Sequence, residues 1–129
     1  MQNHKIISTA LALLVTLATP AQAQAPKLSK SELVLAQAIQ NPKAYAKLAL
    51  YKKGHTKKQW SCLASLWGKE SAWNHLADNP KSSAFGIAQM LNETSKNPIV
   101  QINKGLRYIE HRYKTPCNAW KFWSKNYWY

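Results

Sequence analysis

The sequence predicts a small, mainly α-helical domain in which a long loop, carrying one short extended stretch, closes over the end of a helix. Two observations support that class. Apolar residues recur three and four positions apart in the segments that begin at residues 56 and 98, which gathers them on one helical face. Between those segments, residues 74 to 97 read NHLADNPKSSAFGIAQMLNETSKN. That stretch is rich in Asn, Ser, Gly and Pro and has no helical period, although FGIAQM fits a short extended piece.

Residues 1–23 have the form of an export signal. Lys5 precedes an apolar run from Ile6 to Ala18, Pro20 breaks it, and Ala21-Gln22-Ala23 supplies the small-residue cleavage pattern, so a cut is expected after Ala23. The run is shorter than the ~20 residues of a bilayer span. The mature chain is expected to be exported and soluble, in a periplasm or outside the cell. Eighteen Lys and Arg against five Asp and Glu give a formal charge of +13, of which the signal carries only Lys5. Such a charge steers an exported protein toward polyanions: wall polymers, anionic lipid or extracellular nucleic acid. Charge with interleaved aromatics is the whole case for nucleic acid, so none is expected as a partner. Cys62 and Cys117 are the only cysteines, and in an exported chain they are expected to pair.

Residues 24–55 read as a basic N-terminal helical arm. Ser29-x-x-Glu32 has the spacing of a capping box, in which hydroxyl and carboxylate each satisfy a free backbone N–H. A second helix is expected from Pro42 to about Lys53, with Asn41 as cap and Gly54 past its end. The pair either packs on the main domain or stands off as an arm.

Residues 56–129 form the main domain. Thr56-x-x-Gln59 predicts a capping box at the start of the third helix, and Trp60, Leu63, Ala64 and Trp67 share one face. A fourth helix is expected from Pro98 to about Tyr113, with Asn97 as cap and Ile99, Ile102, Leu106, Ile109 and Tyr113 inward. A short fifth helix covers about Cys117 to Lys125 and carries Trp120, Phe122 and Trp123.

Glu70 follows Trp67 by three positions, which puts a carboxylate on the apolar face near the helix C-terminus. Burial and the negative end of the helix dipole both disfavour its charge, so its pKa is expected to rise. A carboxyl that keeps its proton near neutral pH can act as a general acid. The alternative is a Glu that reaches solvent or pairs with one of many lysines.

The segment KES…W…N…SSAFGIAQM resembles the motif set of the soluble lytic transglycosylase domain, a lysozyme-like family that cuts the glycan strands of peptidoglycan. Glu70-Ser71 ends a helix as in that family. Ser83, Gly86, Ile87 and Gln89 match its Ser-x-x-Gly-(Leu/Ile)-x-Gln pattern, and Pro98, Ile102, Gly105, Tyr108 and Ile109 match its later helix. The resemblance covers about residues 60–129. It implies a lysozyme-like α fold with the loop over the active-site cleft and Glu70 as catalytic acid/base. It also implies Gln89 and Tyr108 lining the site, Ser71 positioning carboxyl or substrate, Ser83 in the binding motif, and Gly86 admitting backbone close to sugar. The chain departs from the pattern at Gln101, where larger members have Asn, and in the final CNAWKFWSKNYWY. Trp120, Trp123 and Trp128 can supply stacking faces there or fill a small core.

Paired-carboxylate glycoside hydrolysis needs a second acid. Of Glu32, Asp78, Glu93 and Glu110, only Asp78 in the long loop is a candidate partner. A lytic transglycosylase needs none, because the muramic acid 6-hydroxyl attacks C1 and gives a 1,6-anhydro end. No metal or other cofactor is expected: His4 leaves with the signal, and His55, His75 and His111 lack ligand spacing. The expected partners are peptidoglycan glycan strands and other anionic envelope polymers, met as a monomer. The competing reading is a catalytically weak, basic wall-binding or antimicrobial module of the same fold.

Overall fold

The computed structural model describes residues 27–129; the segment read as an export signal lies outside the described residues. Helix α1 spans Lys30–Gln40 and begins with the expected capping box, Ser29 Oγ accepting from the Glu32 N–H and Glu32 accepting from the Ser29 N–H at 2.7 Å. Asn41 then serves two helices. Its backbone N–H closes α1 on the Gln37 carbonyl, and its side chain accepts from the Ala44 N–H to start α2, Pro42–Lys52. One residue between two helices folds them into a tight hairpin. This hairpin packs on the rest of the chain, because Ala46 and Leu50 of α2 belong to the core.

Helix α3 spans Lys57–Ser71, but the expected box at its start does not form. Thr56 makes no side-chain cap, and Gln59 Oε1 accepts instead from the Cys117 N–H at 2.9 Å. Cys117 lies in the first turn of α5, Pro116–Asn126, where backbone donors have no partner within their own helix. The Cys62–Cys117 disulfide holds that turn against α3, so Gln59 caps the neighbouring helix rather than its own. Further along the pair, Glu70 of α3 meets Trp123 of α5, so the two helices lie side by side and run in the same direction.

Helix α4, Pro98–Tyr113, starts with Asn97 Oδ1 accepting from the Ile99 N–H. Ile102, Leu106 and Ile109 bury the predicted face in the core cluster that also holds Leu63 and Trp67, while Ile99 and Tyr113 are only partly covered. Leu66, outside the face read from the sequence, is also fully buried. Gly105 sets the distance between the two helices: a Cβ there would stand 2.7 Å from the Trp67 ring, closer than packed atoms allow.

The loop between α3 and α4 differs from the expected single extended piece. FGIAQM is the turn of a minimal antiparallel hairpin, β1 (Ala84–Phe85) and β2 (Met90–Leu91), with Phe85 opposite Met90. Gly86 and Gln89 both take positive φ, 78° and 49°, and the Gln89 N–H bonds the Gly86 carbonyl to close the turn. Gln101 of α4, wholly buried, holds the loop down. Its Oε1 accepts from the Ile87 N–H at 3.0 Å, and its Nε2 donates to the carbonyls of His75 at 2.9 Å and Ser95 at 2.6 Å.

Reducing the disulfide, which closes a loop of 55 residues, is expected to lower unfolding free energy by roughly 4 kcal/mol, read as a fall in urea midpoint. Gln101→Ala would leave a buried N–H and two carbonyls without partners, and the same measurement is expected to show a loss of about 3 kcal/mol or more.

Candidate active site

Glu70 is the next-to-last residue of α3. Immediately after the helix, Ala72 and Trp73 both adopt left-handed φ, 51° and 63°, a conformation that costs non-glycine residues energy. Burial of Trp73 compensates. Its indole N–H donates to the Ala64 carbonyl at 3.2 Å and its ring meets Trp67 edge-on at 5.3 Å. The chain therefore turns back under its own helix, and Glu70 is left at the rim.

The Glu70 carboxylate is half-buried, and its Oε1 accepts a hydrogen bond from the Trp123 indole N–H. Burial raises its pKa above the ordinary carboxylate range, and the Trp123 N–H opposes that rise without reversing it. Among the described residues Glu70 has no ion pair. The other acids behave differently. Glu32 is a cap and Glu110 pairs with Lys53 on the surface. Burial would also raise Glu93, but the Ser95 N–H and Lys104 at 3.0 Å outweigh it and hold that carboxyl low.

A cavity of about 270 Å³ opens beside Glu70, walled by Asn79, Ser82 and Gln89 from the loop and by Trp128 and Tyr129 from the end of the chain. Asp78 is exposed, pairs through its backbone with Phe85, and does not line this cavity. A second cavity of about 220 Å³ lies beyond, sharing Gln89, Leu91, Trp128 and Tyr129 with the first and adding Tyr108 and Arg112.

Gln89 lines the cavity beside Glu70. Both N–H groups of its side chain are spent on the carbonyls of Ala77 and Gly86, so what it offers the cavity is an acceptor oxygen. Tyr108 lines only the second cavity and accepts from Arg112 at 2.9 Å. Ser71 donates to the Ile87 carbonyl at 2.7 Å and so ties the hairpin to α3. Ser83 is exposed, its hydroxyl meeting the Asn92 N–H. Gly86 is buried, and the close approach it admits is that of Gln101, whose amide would lie 2.4 Å from an added Cβ. Trp120 lines neither cavity and stacks on Trp123, with centroids 5.3 Å apart and planes 12° apart.

Tyr129 and the polar role of Trp123 were not foreseen. The Tyr129 hydroxyl accepts from the Trp67 indole at 2.8 Å and donates to the Ala88 carbonyl at 2.8 Å. Burial pushes it well above the usual phenol range, the Trp67 bond works against that, and the nearby Glu70 charge adds to it. An aromatic cluster at NYWY was the only signal in the sequence, and it cannot distinguish a packed ring from a hydrogen-bonding one. No family model, curated protein or solved structure matches the chain.

Trp123→Phe removes the one group that lowers the Glu70 pKa, so the carboxyl should hold its proton to higher pH. The carboxyl signal of Glu70, followed by NMR titration, is expected to move its midpoint upward. Glu70→Gln removes a charge that burial disfavours. Because the folded pKa lies above the unfolded one, stability falls as pH rises from the unfolded through the folded value. The Gln variant should therefore melt higher than the parent at pH 7, with the difference vanishing below about pH 4, in a thermal scan across pH.

Proposed function

We propose that the protein is an exported peptidoglycan-cleaving enzyme, a lytic transglycosylase that cuts the β-1,4 bond between N-acetylmuramic acid and N-acetylglucosamine with Glu70 as its single acid/base. The observation that carries this reading is the lone carboxyl with a raised pKa on a cavity wall that has no second acid. Retaining and inverting hydrolysis both place two carboxyls about the scissile bond. Intramolecular attack by the substrate's own hydroxyl needs one.

Glu70 Oε1 is occupied by the indole N–H, so the acid proton belongs on Oε2. In the first step that proton passes to the departing glycosidic oxygen as the C1–O bond breaks. In the second, the carboxylate takes the proton of the muramic 6-hydroxyl while its oxygen bonds to C1. The 1,6-anhydro end forms, Glu70 is again protonated, and no water is consumed. A group that gives a proton and then takes it back works best with a pKa near the working pH, which burial of Glu70 favours. Gln89 supplies an acceptor for a sugar hydroxyl. The Asn79 and Ser82 oxygens are spent on the Lys81 and Ala84 N–H groups, which leaves an amide and a hydroxyl as donors. Trp128, half exposed at the cavity edge, offers a ring face for a sugar.

The disulfide suits an oxidising location, and the charge of +13 draws the protein to an anionic wall. Among the described residues no helix is long and apolar enough to cross a membrane.

The test is mass spectrometry of the fragments released from purified peptidoglycan. Anhydro-muropeptides are expected, with a loss of about 10³-fold in Glu70→Gln and retained pelleting of that variant with the wall. Reducing ends that carry water would instead mean hydrolysis and redirect attention to Asp78. No fragments, with wall binding unaffected by Glu70→Gln, would leave a wall-binding module.

A further inference from the structure

We infer that the cavity on the far side of Trp128 is a carboxylate-binding site, built on Arg112, that recognises the acidic stem peptide of the strand whose sugars occupy the Glu70 cleft. This rests on the reading of that cleft as a glycan site. Arg112 lies in the last turn of α4. Its guanidinium stands 5.2 Å from the centroid of the Trp128 ring, 5.5 Å from Tyr113 and 5.9 Å from Tyr108. Its Nη1 donates to the Tyr108 hydroxyl at 2.9 Å.

Three rings and one hydroxyl thus flank the guanidinium of this exposed residue, a group that carries five N–H donors. One of those donors is spent on Tyr108, and among the described residues no carboxylate pairs with Arg112. The two ion pairs in the described chain belong to Lys53 with Glu110 and Lys104 with Glu93. A planar guanidinium presents two parallel donors to a carboxylate. Holding it in place beforehand removes part of the ordering cost of binding.

Position gives this cation a purpose beyond covering aromatic surface. The Arg112 cavity and the Glu70 cavity share Gln89, Leu91, Trp128 and Tyr129, so one ligand laid across Trp128 reaches both. The sugars of a glycan strand make no demand for a cation within the cleft. Their stem peptides carry free carboxylates, and Arg112 lines the cavity that adjoins the Glu70 cavity.

Calorimetry on the Glu70→Gln protein, which is expected to bind without cutting, separates the possibilities. The two probes are a neutral N-acetylglucosamine oligomer and a peptidoglycan strand of equal length with its stem peptides intact. The stem-bearing strand is expected to bind about tenfold more tightly, with the preference shrinking as salt rises. Adding Arg112→Gln should bring the two probes to near parity with little change for the neutral oligomer, and Arg112→Lys should keep part of the preference. Equal weakening of both probes by Arg112→Gln would show a guanidinium that only supports the rings, and would overturn the inference. So would equal binding of both probes by the Glu70→Gln protein itself, even with the cleft confirmed as a glycan site. Failure of both probes to bind any form would remove the glycan reading itself.

Discussion

The buried amide of Gln101 fixes where the loop can be. Three backbone groups far apart along the loop, those of His75, Ile87 and Ser95, converge on its two polar atoms. Each would otherwise be an unpaired polar group in a small core. Because the bonds go to backbone rather than side chains, they constrain the path of the chain independently of what the loop residues are. Everything on the loop side of the cavity follows from that path. Gly86 has no Cβ because the Gln101 amide occupies that space, and the turn it closes places Gln89 opposite Glu70.

The opposite wall is built from aromatics with polar tips. Trp67 donates to Tyr129, Tyr129 to the Ala88 carbonyl, and Trp123 to Glu70. Each ring buries apolar area and also satisfies or employs a polar atom, so a chain of this size obtains core and site from the same residues. Scarcity of acids shapes the site as well. With five carboxylates in the whole sequence, and the others in the described chain used as a cap, paired on lysine or exposed, Glu70 stands alone in its cavity.

Much of this was legible wherever the determining contact is local. Helix starts at Ser29, Asn41 and Asn97 were readable because each cap bonds a backbone N–H two or three residues on. The half-buried setting of Glu70 was readable because Trp67 is one turn earlier. The mainly α class follows from the same periodicities. What escaped depends on partners distant in sequence. Gln59 has the spacing of a local cap, yet the N–H it serves belongs to Cys117, 58 positions away. Gly86 signals a turn, but nothing in the turn says that an amide from α4 fills the space above it. FGIAQM alternates too briefly to distinguish a strand from a tight hairpin. The aromatic tail could be read as stacking faces or core, and only the packing of α5 on α3 turns the edge of Trp123 toward a carboxylate.

The same-direction pairing of α3 and α5 carries a consequence for ancestry. Cys62 and Glu70 are eight residues apart on one helix, Cys117 and Trp123 six apart on the other, and the two pairs meet at separate points of contact. Inserting or deleting one residue within either interval would rotate one partner by about 100° and shift it by about 1.5 Å, which no side-chain adjustment recovers. Substitution can therefore erode the exposed positions of these helices while the two intervals stay fixed. A pattern of Cys, seven free positions and Glu, followed later by Cys, five free positions and Trp, is the trace that diverged descendants of this chain would retain after overall similarity has faded.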